Sequence, residues 1–136
     1  MRKIVLDTNV LVSAFLKPMS IPARILRLVL QGDLEIIVNP EILAEYAEVL
    51  ARPKFELDSE KVRVVLDYIR SVGITAPTLS QPCSLPDPAD EPFIESAVTA
   101  KADALITGNK KHFPKRSCRA VKVYSPTEFL KELRNP

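Results

Sequence analysis

Residues 3–15 read KIVLDTNVLVSAF. Ile4, Val5 and Leu6 form a run of the length and composition of a buried strand, and a second apolar run, Val10-Leu11-Val12, follows Thr8 and Asn9. Between them stands Asp7. A carboxylate inside a buried strand is costly without a partner. The cost is avoided if the strand covers residues 3–7 and ends there, which puts Asp7 at the mouth of a sheet rather than in its core.

The rest of the chain alternates strand and helix signals. PARILRLVLQ (22–31) reads as a helix with Pro22 near its start and Gly32 just past its end. LEIIV (34–38) reads as a second buried strand. PEILAEYAEVLAR (40–52) reads as a helix with Asn39 as N-cap, and DSEKVRVVLDYIRSVG (58–73) as a helix capped by Asp58 or Ser59 and stopped by Gly73. Residues 76–92 hold five of the twelve prolines and read as a loop without regular elements. A helix over 90–101, strands over 103–107 and 121–125, and a helix over 126–133 complete the order. Strands alternating with helices predict an α/β fold with a mainly parallel sheet covered on both faces. Ligands of such sheets collect at the carboxyl ends of the strands, which is where Asp7 falls.

At 136 residues the chain suits one domain, 1–136, and 46% hydrophobic residues exclude a disordered tail. No apolar run is long enough to span a bilayer, and MRKIVLDTN meets a charge before the apolar region of a leader can develop. A cytoplasmic chain is therefore expected. Cys83 and Cys118 stand alone beside a single histidine, which argues against a zinc site and against a disulfide framework. The net charge of +2 is unevenly distributed: residues 1–100 carry ten Lys and Arg against fourteen Asp and Glu, residues 101–136 nine against three. A basic segment beside acidic positions is the footprint expected for an anionic polymer as partner, and equally of a solvated surface.

Helical phase places the remaining acids. On the helix 40–52, Ile42, Leu43, Tyr46, Val49 and Leu50 form one arc; Glu45 borders it, while Glu41 and Glu48 lie off it. In DPADEPFIESAVTAKADALITGN (87–109), Asp90 projects onto the face of Phe93 and Ile94, and Glu91 and Glu95 fall away. Either Asp87 or Asp90 can cap that helix. After the strand DALIT, Thr107 and Asn109 emerge at the same sheet edge as Asp7, although a plain turn explains Gly108-Asn109 equally well. Three carboxylates, Asp7, Glu45 and Asp90, with the amide of Asn109 at one mouth would repel unless a hard cation sat among them. Mg²⁺ or Mn²⁺ takes such oxygen ligands and suits phosphoryl chemistry. Just beyond, KKHFPKRSCR supplies Lys110, Lys111, Lys115, Arg116 and Arg119, a cluster able to hold a nucleic-acid backbone.

IVLDTNVLVSA, EILAEY and DPADEPFIESAVTAKADALITGN, in this order and spacing, resemble the PIN-domain family, and within it the toxin components of toxin–antitoxin pairs related to the VapC toxins. The resemblance runs over essentially the whole chain. It implies a three-layer α/β/α sandwich and Mg²⁺- or Mn²⁺-dependent cleavage of RNA to leave 5′-phosphate ends. It also implies a cytoplasmic homodimer and a cognate antitoxin as partner. The family's acidic cluster maps onto Asp7, Glu45 and Asp90, and Thr8-Asn9 matches the segment that orients the first Asp. The family pattern Thr-x-Asp reads Thr107-Gly108-Asn109 here. An amide can hold a metal-bound water but brings no charge, which implies one well-held metal and a weaker second. IVLDTNV also approaches the DxDx[TV] signature of haloacid-dehalogenase-like phosphatases, which would make Asp7 a nucleophile; Asn9 stands where that signature needs an acid. A nucleic-acid- or protein-binding module with a decayed site is the non-enzymatic alternative, and Asn109 is its support.

Overall fold

The computed structural model describes residues 2–76, 85–114 and 121–134. Among these residues five strands, β1 (Lys3–Leu6), β2 (Glu35–Val38), β3 (Ile74–Thr75), β4 (Ala104–Ile106) and β5 (Val123–Tyr124), form one sheet in the order β3-β2-β1-β4-β5. Every described pair is parallel, with Ile4 beside Ile36 and Ala104, and Leu6 beside Ile106. Residues 4–6, 36–38 and 104–106 are all buried, as central strands covered on both faces must be.

Among the described residues six helices surround the sheet: α1 (Thr8–Leu16), α2 (Ile21–Leu30), α3 (Pro40–Leu50), α4 (Ser59–Val72), α5 (Glu91–Thr99) and α6 (Pro126–Arg134). α4 packs on β2, α6 on β4 and β5, and α2 on both α4 and α6, which makes one layer. α5 packs on β1, β2 and β4. The chain moves outward from β1 to β3 and then jumps back across to β4, so a right-handed crossover puts α5 on the opposite face. The strand order reverses between β1 and β4. That crevice, at the carboxyl edge, is where a doubly covered parallel sheet binds its ligands.

α1 has no counterpart in the expectations above. Val10-Leu11-Val12 belong to it, not to an extended strand, and Val10, Leu11, Val12 and Ala14 are all buried. Asp7 is the last extended residue (φ −64°, ψ 145°) and sits at the N-cap of α1. The loop expected over 76–92 contains a 3-10 turn at Pro88–Asp90 and the start of α5; residues 77–84, with Cys83, lie outside the described residues, as does Cys118. Asn39 and Asp58 cap α3 and α4 through their side chains. Gly32 follows α2 with φ +84°, the left-handed conformation that a glycine stop supplies. Gly73 has an ordinary φ and is required for another reason: a Cβ there would lie 2.6 Å from the Ile69 carbonyl and 2.9 Å from Val38 Cγ2. Among the described residues no helix is long and apolar enough to cross a membrane.

Candidate active site

Asp7 lies at the β1–β4 crevice. Its backbone N–H continues the ladder to the Ile106 carbonyl, and its Oδ2 accepts a hydrogen bond of 2.7 Å from Thr107 Oγ1, the residue after β4. Both residues are buried, Asp7 4% exposed and Thr107 fully covered. Burial pushes the Asp7 carboxyl up from the usual range; the Thr107 hydroxyl, the Thr8 backbone N–H and the charge of His112 pull the other way. The Asn109 backbone N–H closes the turn by donating to Thr107 Oγ1 at 3.1 Å. Thr107 thus holds the first carboxylate and the turn after β4 with one hydroxyl.

Glu45 is half-buried on α3, and the Thr8 hydroxyl donates to its Oε2. Thr8, the residue that follows the first carboxylate, therefore holds the second. The adjacent Tyr46, fully buried, donates its hydroxyl to the Leu6 carbonyl at 2.6 Å and locks α3 onto the end of β1. Burial pushes the Tyr46 phenol well above its ordinary range, and the negative charges of Asp7 and Glu45 push it further.

Neither Asp87 nor Asp90 caps α5 through its side chain; Asp87 caps the 3-10 turn before it. Asp87 accepts from the Ala89 N–H at 2.9 Å, and Asp90, at the junction of the 3-10 turn and α5, makes no capping bond. Its Oδ2 is buried and has no hydrogen bond. His112 Nδ1 approaches that oxygen to 3.1 Å, within ion-pair reach but without hydrogen-bond geometry. The Asp90 pKa is pushed up to about 6, first by desolvation and next by the negative charge of Asp7; His112 relieves it, and Asp87 and Glu45 add repulsion. Asp90 thus feels both other carboxylates. A buried tether supports its helix: Asn39, at the end of β2, donates to Ser96 Oγ at 2.6 Å, and Ser96 donates to the Pro92 carbonyl at 2.8 Å in the first turn of α5.

His112, Tyr46, Asn39 and Ser96 were not among the residues expected to build the site. Asn9 is exposed and has no side-chain hydrogen bond to the described residues. Asn109 is half-buried; its backbone N–H donates to Thr107, its carbonyl accepts from the His112 N–H at 3.1 Å, and among the described residues its side chain makes no hydrogen bond. Lys110 forms a salt bridge of 3.0 Å with Glu128, Lys111 is exposed, and Lys115, Arg116 and Arg119 lie outside the described residues. Of the acids expected to point elsewhere, Glu48 pairs with Arg52 at 3.0 Å and Glu41 is exposed. Burial raises the Glu95 carboxyl, with Glu91 and Glu41 as the next causes, a separate acidic group. The groove of about 370 Å³ between α3 and α4 contains none of the carboxylates discussed for the site.

The donor chemistry suits a hard divalent cation. Asp90 Oδ2 is a buried, unsatisfied carboxylate oxygen beside two further acids, and such an atom calls for a proton or a cation. Among the described residues no three His, Cys, Asp or Glu side chains stand close enough to form a ready cage. Mg²⁺ and Mn²⁺ need none: they keep several waters and bind through one or two carboxylates.

Comparison with known proteins fits this geometry. The chain is 29% identical to the uncharacterized protein MJ1680 of Methanocaldococcus jannaschii, over 96% of this chain and 90% of that one. Its fold is similar to the crystal structure of VapBC2 from Rickettsia felis bound to a DNA fragment from their promoter, with a TM-score of 0.61, 18% identity and coverage of 90% and 98% of the two chains. It is also similar to a domain of a functionally unknown protein from Methanocaldococcus jannaschii, with a TM-score of 0.55, 15% identity and coverage of 92% and 91%. The family model described as PIN domain matches residues 3–111, which include all three carboxylates, Thr107 and Asn109. The chain belongs to the PIN-domain family.

Proposed function

We propose that this protein is an Mg²⁺- or Mn²⁺-dependent endoribonuclease, the toxin of a toxin–antitoxin pair. The observation that carries the reading is Asp90: a carboxylate at the mouth of the sheet, one oxygen buried without a hydrogen bond, repelled by Asp7 and Glu45. Asp7 and Asp90 would hold the ion, with Asn109 as a further oxygen donor, and Glu45 completes the acidic wall. When bound, the ion supplies an activated water and charge stabilisation on the phosphate. The chain's own part is to keep the donors in place. Thr107 fixes Asp7, Thr8 fixes Glu45, and the Asn39–Ser96 tether fixes the helix that presents Asp90. His112 Nδ1 faces the same Asp90 oxygen at 3.1 Å and would offset its charge when protonated. RNA is the proposed substrate, with Lys111, Lys115 and Arg116 as backbone contacts; Lys110 would have to leave Glu128 to join them.

An antitoxin partner is supported by the likeness of fold to VapBC2, a homodimer only by the family resemblance. The neutral Asn109 favours a second reading, a PIN-like binding module with weak catalysis. Incubation of the purified protein with mixed RNAs in Mn²⁺, Mg²⁺ or EDTA, beside Asp7→Ala, separates the two. Cleavage that needs the metal and Asp7 supports the nuclease; RNA binding without cleavage supports the module.

A further inference from the structure

The positive charge of residues 101–136 meets a second basic region of the chain away from the acids. From Thr8 to Gly32 the sequence carries Lys17, Arg24 and Arg27 and no acid. The helix of this stretch, α2, packs on α6, and between them runs a groove of about 320 Å³ lined by Arg24, Arg27, Leu28, Gln31, Leu130 and Arg134. Arg24, Arg27 and Leu28 of α2 and its C-cap Gln31 fall at i, i+3, i+4 and i+7, one stripe of a helix, and the two α6 residues are one turn apart. The Arg27 guanidinium is held by the Pro18 carbonyl at 3.0 Å. Arg52, Arg63 and Arg70 each pair with a carboxylate of their own helix or its end. Among the described residues Arg24, Arg27 and Arg134 pair with none, and no acid lines the groove.

We propose that this groove is a second nucleic-acid contact, in which Arg24, Arg27 and Arg134 take phosphates of a single strand. A guanidinium grips phosphate through paired N–H donors; Arg24 and Arg27 stand one turn, about 4.5 Å, apart along α2 and Arg134 faces the same groove from α6, so the three form a cationic track. Leu28 and Leu130 give it an apolar floor for sugars or bases. α6 links the two regions: it follows β5 directly, Glu128 in its first turn holds Lys110, which follows β4, and Leu130 and Arg134 of the groove lie further along the same helix. That the strand continues to the carboxylate mouth rests on the nuclease reading. The charge pattern alone would also suit an acidic protein segment, and the test discriminates between the two.

The experiment measures binding of a fluorescein-labelled single-stranded RNA of mixed sequence, in EDTA, across a range of NaCl. Wild type is compared with R24Q/R27Q/R134Q and with R52Q/R63Q/R70Q, which removes the same charge elsewhere. The slope of log K against log salt falls by roughly 0.7 per lost contact, so by about two for the groove variant, and affinity at low salt drops at least tenfold. The control variant keeps the wild-type slope. Equal slopes in groove variant and wild type would overturn the proposal, as would loss of binding to a Glu-rich peptide with RNA binding intact. Cleavage is scored separately in Mn²⁺. A wild type that cleaves while the slopes match defeats the groove alone; a wild type that cleaves nothing while the groove variant loses its slope defeats the nuclease reading alone.

Discussion

Replacing Asp90 by Asn should make the metal-free protein more stable at neutral pH. The amide has the shape of the protonated acid and carries no charge. In the wild type the folded state raises the Asp90 pKa from 3.8 to about 6. The sign follows from proton counts: between those values the folded protein holds a proton that the unfolded chain has released. Stability therefore falls as pH rises from about 4 to 6, and above pH 6 the full penalty of the ionised form is present. The rise corresponds to roughly 3 kcal/mol before screening. Asp90 borders the open mouth, so water reduces this, and a gain of about 1 kcal/mol is expected for Asp90→Asn, or roughly 3–5 °C in Tm for a domain of this size. Thermal melts in EDTA at pH 7.5, 6 and 4 check it. The gain should be present at pH 7.5, shrink below pH 6 and vanish near pH 4. With Mn²⁺ the order should reverse, because the wild type gains a ligand that the variant holds poorly. A variant less stable than wild type in EDTA at pH 7.5 would refute the reasoning and assign Asp90 a structural bond.

Thr107→Val removes the hydroxyl that donates to Asp7 and accepts from Asn109; a loss of about 1–3 kcal/mol in urea unfolding is expected, together with loss of metal-stimulated cleavage. Ser96→Ala leaves the Asn39 amide without its buried acceptor and should cost a similar 1–3 kcal/mol, by roughly the same reasoning, whereas Asn39→Ser keeps the cap of α3 and loses the tether; both should weaken the Mn²⁺-induced rise in Tm. Asn109→Asp adds a carboxylate where the family pattern has one, so the Mn²⁺-induced rise in Tm should exceed that of wild type; equal shifts would return Asn109 to an ordinary turn residue. Gly73→Ala forces a Cβ against the Ile69 carbonyl and Val38 and should lower Tm sharply without altering the dependence of cleavage on Mn²⁺ concentration.

The sheet was legible wherever a strand was short, apolar and flanked by helix signals. Asp7 marked the end of β1 because a carboxylate has no place in the core. α1 was not legible: Val10, Leu11 and Val12 are buried together with Thr8 and Ala14, so the helix shows no clean polar face, and β-branched residues suit a strand. β3 is two residues long, too short for any period. Helical phase brought Glu45 and Asp90 toward the mouth because a helix one face of which is buried reveals its orientation in its apolar spacing. Phase says nothing about partners distant in sequence. His112 lies 22 residues beyond Asp90, the Thr8–Glu45 bond spans 37 residues and the Asn39–Ser96 bond 57, and nothing local announces any of them. Tyr46 was legible as an apolar residue of α3, but its hydroxyl contact with Leu6 was not. Lys110 counts as part of a basic run by sequence, yet Glu128 of α6 engages it.

The central claim is that Asp7, Glu45 and Asp90 serve one divalent ion. Calorimetric titration of Mn²⁺ into wild type, Asp7→Asn, Glu45→Gln and Asp90→Asn, with Glu48→Gln and Glu95→Gln as controls, tests it most directly. The account predicts saturable binding in wild type and in both controls, and weakened or lost binding in each of the three site variants. Wild-type affinity retained in Asp7→Asn and Asp90→Asn, or no saturable binding in wild type at millimolar Mn²⁺, would contradict it.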